Sequence, residues 1–520
     1  MKRKVFKTLK FVLISFVVFG LFIIAGLLWP MPEIALPEKH KSILIKDINI
    51  IDVHTGDILK NRNVWIVGNR IQAIDSLPTD KNDADHFTID GHGKYLIPGL
   101  WDMHTHSTQH SKWLHHPLYI ANGVTSIRDL SGQMGKEDSY WAGTQDRLSW
   151  NQKLENHEQV TPRYVLQSSY QINGDNSVPS GYPKFFSVED VKDVPLLLEY
   201  YQKEGVDFIK VYSDIPVASY KQIAKEAPKY GMHIAGHKPL GVSLEEAIGL
   251  GQRSFEHGRV FMFDCFPNAD KLLIAKDKKA MYYESKKSMS ENFDTIKAER
   301  LMDLMQERNT HWVPTIQMLK ISAFANDQNY IENPNLKYIP TLRKKLWWNP
   351  DVGRAAEYNK SNEGRGINMK LYESAKFQIG MAHKKGVPIM TGTDVTDSYA
   401  FPGFALHTEI EELTVCGLSN LEALRASTII PATYSHVENE LGSVEKGKIA
   451  DLVILERNPL EKIENTTSIS GVILNGVYYN QEALEAYKED IASLASSFHM
   501  NVKFIFSLLG SPLIRKQFAD

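Results

Sequence analysis

A chain of 520 residues with 43% hydrophobic content can bury a sizeable core, and a formal net charge of −3 excludes the basic excess that nucleic-acid binding calls for. Its two cysteines, Cys265 and Cys416, cannot form a disulfide framework and read as small buried hydrophobes.

Lys2, Arg3, Lys4, Lys7 and Lys10 precede an uncharged apolar run from Phe11 to Trp29. At the helical rise that run spans about 28 Å, roughly a bilayer core. It is longer than a signal-peptide core and no small-x-small cleavage site follows it, so residues 1–30 are expected to form an uncleaved transmembrane helix. A cleaved signal, giving a secreted protein, and a buried soluble helix are the alternatives. The positive-inside rule keeps the basic flank cytoplasmic and puts the remainder on the extracytoplasmic side. Pro30 and Pro32 end the helix, and residues 31–41 read as a linker.

From Ser42 the pattern is β: Ile43 to Asp52, a turn at Thr55-Gly56-Asp57, then Asn63 to Val67 and Arg70 to Ile74, which suggests a small sandwich. Similar runs return at Ala450 to Leu455 and Ile469 to Tyr479. Between them, residues 97–440 alternate short apolar runs with helical stretches, the α/β pattern of a (β/α)8 TIM-like barrel.

Candidate metal ligands stand at the ends of those apolar runs. His104 and His106 are one residue apart after the turn signal Pro98-Gly99, so on a strand they share a face and can grip one ion, whereas Asp102 points the other way. Two satisfied polar residues are the alternative. Lys210 lies inside the apolar run Phe208 to Val211; burial would lower its pKa, and the neutral amine can add carbon dioxide to give a carbamate able to bridge two metals. A lysine snorkelling at a strand end would look the same. His237 and His257 each close a strand-like run, with a short helix from Leu244 to Leu250 between them, and Asp394 ends the run Val387 to Thr393.

These stretches resemble the metal-dependent amidohydrolase superfamily, and within it the imidazolonepropionase-like and Xaa-Pro dipeptidase (prolidase) branch. The resemblance is carried by IPGLWDMHTH from Ile97 to His106, DFIK from Asp207 to Lys210, SFEHG from Ser254 to Gly258 and TGTD from Thr391 to Asp394. LHTEIEEL from Leu406 to Leu413 and LGSVEKGKIADLVIL from Leu441 to Leu455 extend it, over about residues 41 to 480 in all. It implies that the flanks 42–96 and 441–480 pair into one composite β-domain around the barrel. It also implies a binuclear site, with His104, His106 and Asp394 on one divalent ion, His237 and His257 on a second, and carboxylated Lys210 bridging them. Such ligands suit zinc best, with manganese, iron and cobalt open. The implied chemistry is attack of a metal-bridging hydroxide on a carbonyl, with Asp394 shuttling the proton to the leaving nitrogen.

The expected substrate is a small amide, cyclic amide or dipeptide. An esterase or lactonase on the same site, and a membrane-tethered scaffold without chemistry, are the alternatives. Tyr212, on the same strand face as Lys210, is a candidate substrate contact or a packed aromatic. Lys238 and Arg259 could meet a substrate carboxylate or be solvated rim charges, and Arg128 and Asp129 read as structural. Between His257 and Asp394 lie 136 residues, and within them 324–366, rich in charge, aromatics and proline, reads as a lid or wall, with disorder as the alternative. The tail 481–520 is helical, with the apolar segment Phe504 to Leu509 too short to span a bilayer; it either packs on the barrel or lies against a membrane.

Overall fold

The computed structural model describes residues 2–75, 86–347 and 350–519. It opens with the helix Lys2–Leu28, of which Val5–Leu28 is long and apolar enough to cross a bilayer, a property shared by anchors and signal sequences. The segment after it is extended and pinned to the body: the Tyr487 hydroxyl donates to the Ala35 carbonyl (2.6 Å), His157 Nε2 bonds the Pro37 carbonyl (2.9 Å), and Met31 and Ile34 pack against the main core.

In chain order the strands are β1 (Ser42–Ile51), β2 (Ile58–Val67), β3 (Arg70–Ile74), β4 (Phe87–Asp90), β5 (Tyr95–Pro98), β6 (Leu100–Thr105), β7 (Val124–Asp129) and β8 (Arg163–Gln167). They continue as β9 (Phe208–Val211), β10 (His233–Gly236), β11 (Ser254–Glu256), β12 (His311–Val313), β13 (Leu452–Leu455), β14 (Ile469–Leu474) and β15 (Val477–Asn480). The two flanks share one sheet in the order β15-β14-β13-β5-β1-β2-β3, with β4 on β1. Register shifts around Ile48 let β1 pair with β4 through Ile43 to Lys46 and with β5 through Asn49 and Ile50, so the hydrogen bonding runs continuously from one flank to the other. Alternating apolar residues of β1, Ile43, Ile45, Ile48 and Ile50, meet Leu96, Leu452 and Ile473 in a core of their own.

The middle of the chain holds two all-parallel sheets, β6-β7-β8 and β9-β10-β11-β12, buried on both faces as parallel sheets are. Single parallel bridges join their edges: Ser168 to Phe208 and Ile172 to Val211 on one side, Trp312 to Ile389 and Thr105 to Val395 on the other. The pattern of Val387 to Asp394 predicts a regular strand, but it forms isolated bridges and single backbone hydrogen bonds, such as Met390 N–H to the Trp312 carbonyl (2.9 Å) and Met103 N–H to the Thr391 carbonyl (2.9 Å). Its last residue, Asp394, takes φ 60°, a left-handed conformation that breaks the ladder. Gly392 permits its close approach to β6, because a Cβ there would stand 2.7 Å from His104 Cβ.

Between His257 and Asp394 the described chain holds β12 and otherwise mainly helices, including Thr341–Trp347, Pro350–Tyr358 and Asn362–Lys384. Trp348 and Asn349, inside the stretch 324–366, lie outside the described residues. The C-terminal helices Gln481–Ser496 and Phe498–Gly510 pack on the body through Ile491, Leu494, Met500, Phe504 and Leu508.

Candidate metal centre

One cavity of about 590 Å³ collects all seven residues singled out above: His104, His106, Lys210, Tyr212, His237, His257 and Asp394. They reach it from the C-terminal ends of parallel strands. His104 is the fifth residue of β6, His106 lies just past that strand, Lys210 is within β9, and His237 and His257 immediately follow β10 and β11. His257 (φ 73°) and Asp394 (φ 60°) both adopt left-handed backbone, a conformation costly for non-glycine residues and one that concentrates at functional sites.

Donor atoms of His104, His257 and Asp394 lie within 4.8 Å of one another. His106 Nε2 is 3.0 Å from Asp394 Oδ1, and His237 Nε2 is 2.9 Å from His257 Nε2, so the other two imidazoles flank that trio. Lys210 lines the same cavity, with its Nζ donating to the Leu130 carbonyl (3.1 Å) and 5.6 Å from the Tyr212 ring centroid. Tyr212 itself stacks on the His237 ring at 3.8 Å.

Three of the four rings have their Nδ1 atoms held. His104 Nδ1 bonds Glu256 Oε2 (2.9 Å), His237 Nδ1 the Ser213 hydroxyl (2.8 Å), and His257 Nδ1 the Thr315 hydroxyl (2.8 Å). The carboxylate on His104 keeps a proton at Nδ1 and turns Nε2 inward. Glu256 is clamped in turn: Arg128 Nη2 donates to its Oε1 at 2.7 Å, as does the Ser254 hydroxyl at 2.7 Å, and both charged side chains are fully buried. Within the motif SFEHG, sequence reasoning gives Glu256 no role of its own. Its partner Arg128 lies 128 residues earlier, so nothing local in the sequence announces the pair.

Electrostatics follow from burial and these contacts. Burial would raise the Glu256 carboxyl, but Arg128 and His104 outweigh it and hold it at about 2. Burial lowers the Lys210 ammonium to about 8, the His257 imidazole to about 3, and, with Lys210 adding to it, His106 to about 4. His104 moves up instead, because Asp394 and Glu256 overcome its burial, and Asp394 is held well below the carboxylate range by His104 and by the bonds from both neighbouring rings. The donor set fits a divalent cation. His104 Nε2 is buried and stands 3.3 Å from Asp394 Oδ1, within ion-pair range when the ring is protonated. Protonated, this nitrogen meets the carboxylate as an ion pair; deprotonated, it leaves two lone pairs facing each other, the arrangement that a divalent cation would bridge.

A model of the amidohydrolase family matches residues 209–478, just over half of the chain. The chain belongs to the amidohydrolase family. The matched stretch contains Lys210, His237, His257 and Asp394, and begins after His104 and His106. Among solved structures, a Xaa-Pro dipeptidase with methionine bound in its active site superposes at TM-score 0.58 with 21% identity, covering 84% of this chain and all of that one. The bottromycin amidohydrolase reaches TM-score 0.64 at 20% identity, covering 91% and 93% of the two chains. These likenesses concern the fold. An adenine deaminase from Thermosipho africanus (strain TCF52B) is 32% identical over 102 residues, 19% of this chain. The amidohydrolase chain spans only 17% of that relative's length in the match.

Lys238 and Arg259 both line the cavity. Lys238 is no solvated rim charge: it is buried on the cavity wall, with its Nζ 2.9 Å from Asp264 Oδ2. Arg259 donates to the Tyr282 hydroxyl (2.6 Å) on the cavity wall, and Arg343 and Arg354, from the helices within 324–366, line the same cavity. Arg128 and Asp129 both sit in buried ion pairs, with Glu256 and with Arg147 (2.6 Å).

Proposed function

We propose that the chain is a metal-dependent hydrolase that cleaves a carbon–nitrogen bond in a small amide, cyclic amide or dipeptide, with Xaa-Pro dipeptides as the narrower class. Family membership supports the reading, and one observation carries it: donor atoms of His104, His257 and Asp394 converge within 4.8 Å of one another, with His106 and His237 beside them. In this reading His104, His106 and Asp394 hold one divalent ion, His237 and His257 a second, and carboxylated Lys210 bridges them, zinc being the ion these ligands suit best. Such ions, when bound, supply Lewis-acid polarisation of a carbonyl and acidify water.

The chain's own residues do the rest. Asp394, kept ionised by His104 and His106, is in the basic form that accepts the proton of an attacking water and returns it to the leaving nitrogen. Burial of Lys210 favours the neutral amine, the form that adds carbon dioxide. Tyr212, fixed by its stacking on His237, presents a wall to the substrate.

The same reading joins the two parallel sheets and the 387–395 segment into one closed (β/α)8 barrel, supported by the four single bridges at their edges. Residues 97–440 form this barrel, 42–96 and 441–480 the composite β-domain, 324–366 a wall over the site, and 481–520 a helical tail. Residues 1–30 anchor the chain in a membrane, 31–41 link the anchor to the body, and the catalytic portion lies on the extracytoplasmic side.

The test is turnover by the full-length protein, supplied with zinc and bicarbonate, of a set of Xaa-Pro dipeptides, N-acyl amino acids and lactones. Amine release from the first two classes is expected, with Asp394→Asn lowering kcat roughly 10²–10⁴-fold. Hydrolysis confined to lactones would replace the C–N assignment.

A further inference from the structure

We infer that the C-terminal helix Phe498–Gly510 is a second membrane contact, seated in the bilayer interface beside the N-terminal helix. This rests on the anchor reading of residues 1–30. Phe498, Val502, Ile505, Phe506 and Leu509 recur at helical spacing and form one apolar stripe along this helix. The start of the stripe touches the anchor, although Phe498 stays 53% exposed: Gly26 is buried, and a Cβ there would stand 2.9 Å from Phe498 Cε1 and 3.3 Å from Val502 Cγ2, an approach that a side chain at position 26 would obstruct. Lys503 Nζ donates to the Leu27 carbonyl, one of the acceptors left open at the anchor's C-terminal end.

Further along, Ile505 packs on the core, whereas Phe506 and Leu509 stay 48% and 54% exposed. The depth of the helix is set by what it touches. Gly26 lies inside the apolar span Val5–Leu28, and exposed Trp29 follows at the position where aromatic side chains mark the membrane interface. A helix touching residues 26 and 27 is therefore at interfacial depth, and its exposed apolar side chains meet lipid. The linker cannot carry the body away, since Tyr487 and His157 hold the Ala35 and Pro37 carbonyls. The opposite side of the same helix faces inward, where Leu508 lines the metal-centre cavity. The bilayer thus lies one helix away from the cavity.

Single cysteines report this directly, because Cys265 and Cys416 are both buried. Phe16→Cys, Phe506→Cys, Leu509→Cys and Ile296→Cys, in the full chain, are each labelled with an environment-sensitive dye and reconstituted into phosphatidylcholine–phosphatidylglycerol vesicles with and without nitroxide-labelled lipid. Ile296 is 84% exposed on the remote helix Thr295–Glu307. Quenching at 506 and 509 of at least half that at 16, with none at 296, is expected. Quenching at 16 without quenching at 506 and 509 would overturn this inference and leave the anchor standing. No quenching at 16 would overturn the anchor reading and this inference with it, and equal quenching at 296 would show non-specific adsorption in place of a defined contact.

Discussion

His104 and His237 each turn one ring nitrogen toward the site and pin the other, but by different chemistry. His104 is held by a carboxylate that a buried arginine clamps in turn, so signs alternate along Arg128, Glu256, His104 and Asp394. His237, like its neighbour His257, is held by a neutral hydroxyl, from Ser213 and Thr315 respectively. A charged partner raises imidazole basicity and fixes the tautomer, whereas a hydroxyl can rotate to serve either tautomer. One half of the site is therefore built on buried charge and cannot lose a member without exposing another, and the other half is built on replaceable dipoles.

The largest effect should come from Glu256→Gln. It leaves Arg128 without its buried counter-ion, which costs about 3–5 kcal/mol of stability. It also weakens metal binding by about 10–100-fold. Urea denaturation and metal titration measure the two, and a stability change within about 0.5 kcal/mol would break the comparison.

A buried histidine outside the site sharpens it. His407 is held by the Thr466 hydroxyl (3.0 Å) and the Asn122 carbonyl (3.0 Å), with no carboxylate, and burial takes it down to about 4 from an unfolded value of 6.5. With the folded value depressed, the stability this neutral ring contributes is complete above pH 6.5 and is lost as pH falls from there toward 4. In His407→Gln the loss of stability between about pH 7 and pH 4 should be smaller by about 2–3 kcal/mol. An unchanged pH slope would show that this ring does not resist protonation.

The smallest effects should follow Ser213→Ala and Thr315→Val, about 1 kcal/mol each in stability. Their metal affinity should fall only about tenfold. Losses as large as those of Glu256→Gln would erase the distinction between the two halves.

What the sequence disclosed follows from how local each signal is. His104 and His106 are legible because two-residue spacing after a turn has a direct geometric meaning, and His237, His257 and Asp394 because each ends an apolar run. Glu256 is not, since its function depends on Arg128 arriving from β7 and His104 from β6. Lys238 misleads for a related reason: Asp264, which buries it, is set opposite it only by the folded chain. The expected strand before Asp394 reduces to isolated bridges, because the left-handed turn that aims this carboxylate is invisible in a run of β-favouring residues.

The most direct test of the central claim is the metal content of the full-length protein purified with added bicarbonate, beside Lys210→Ala. The account predicts about two divalent ions per chain, falling sharply in the variant. One ion or none, unchanged by the substitution, would contradict a site bridged by Lys210.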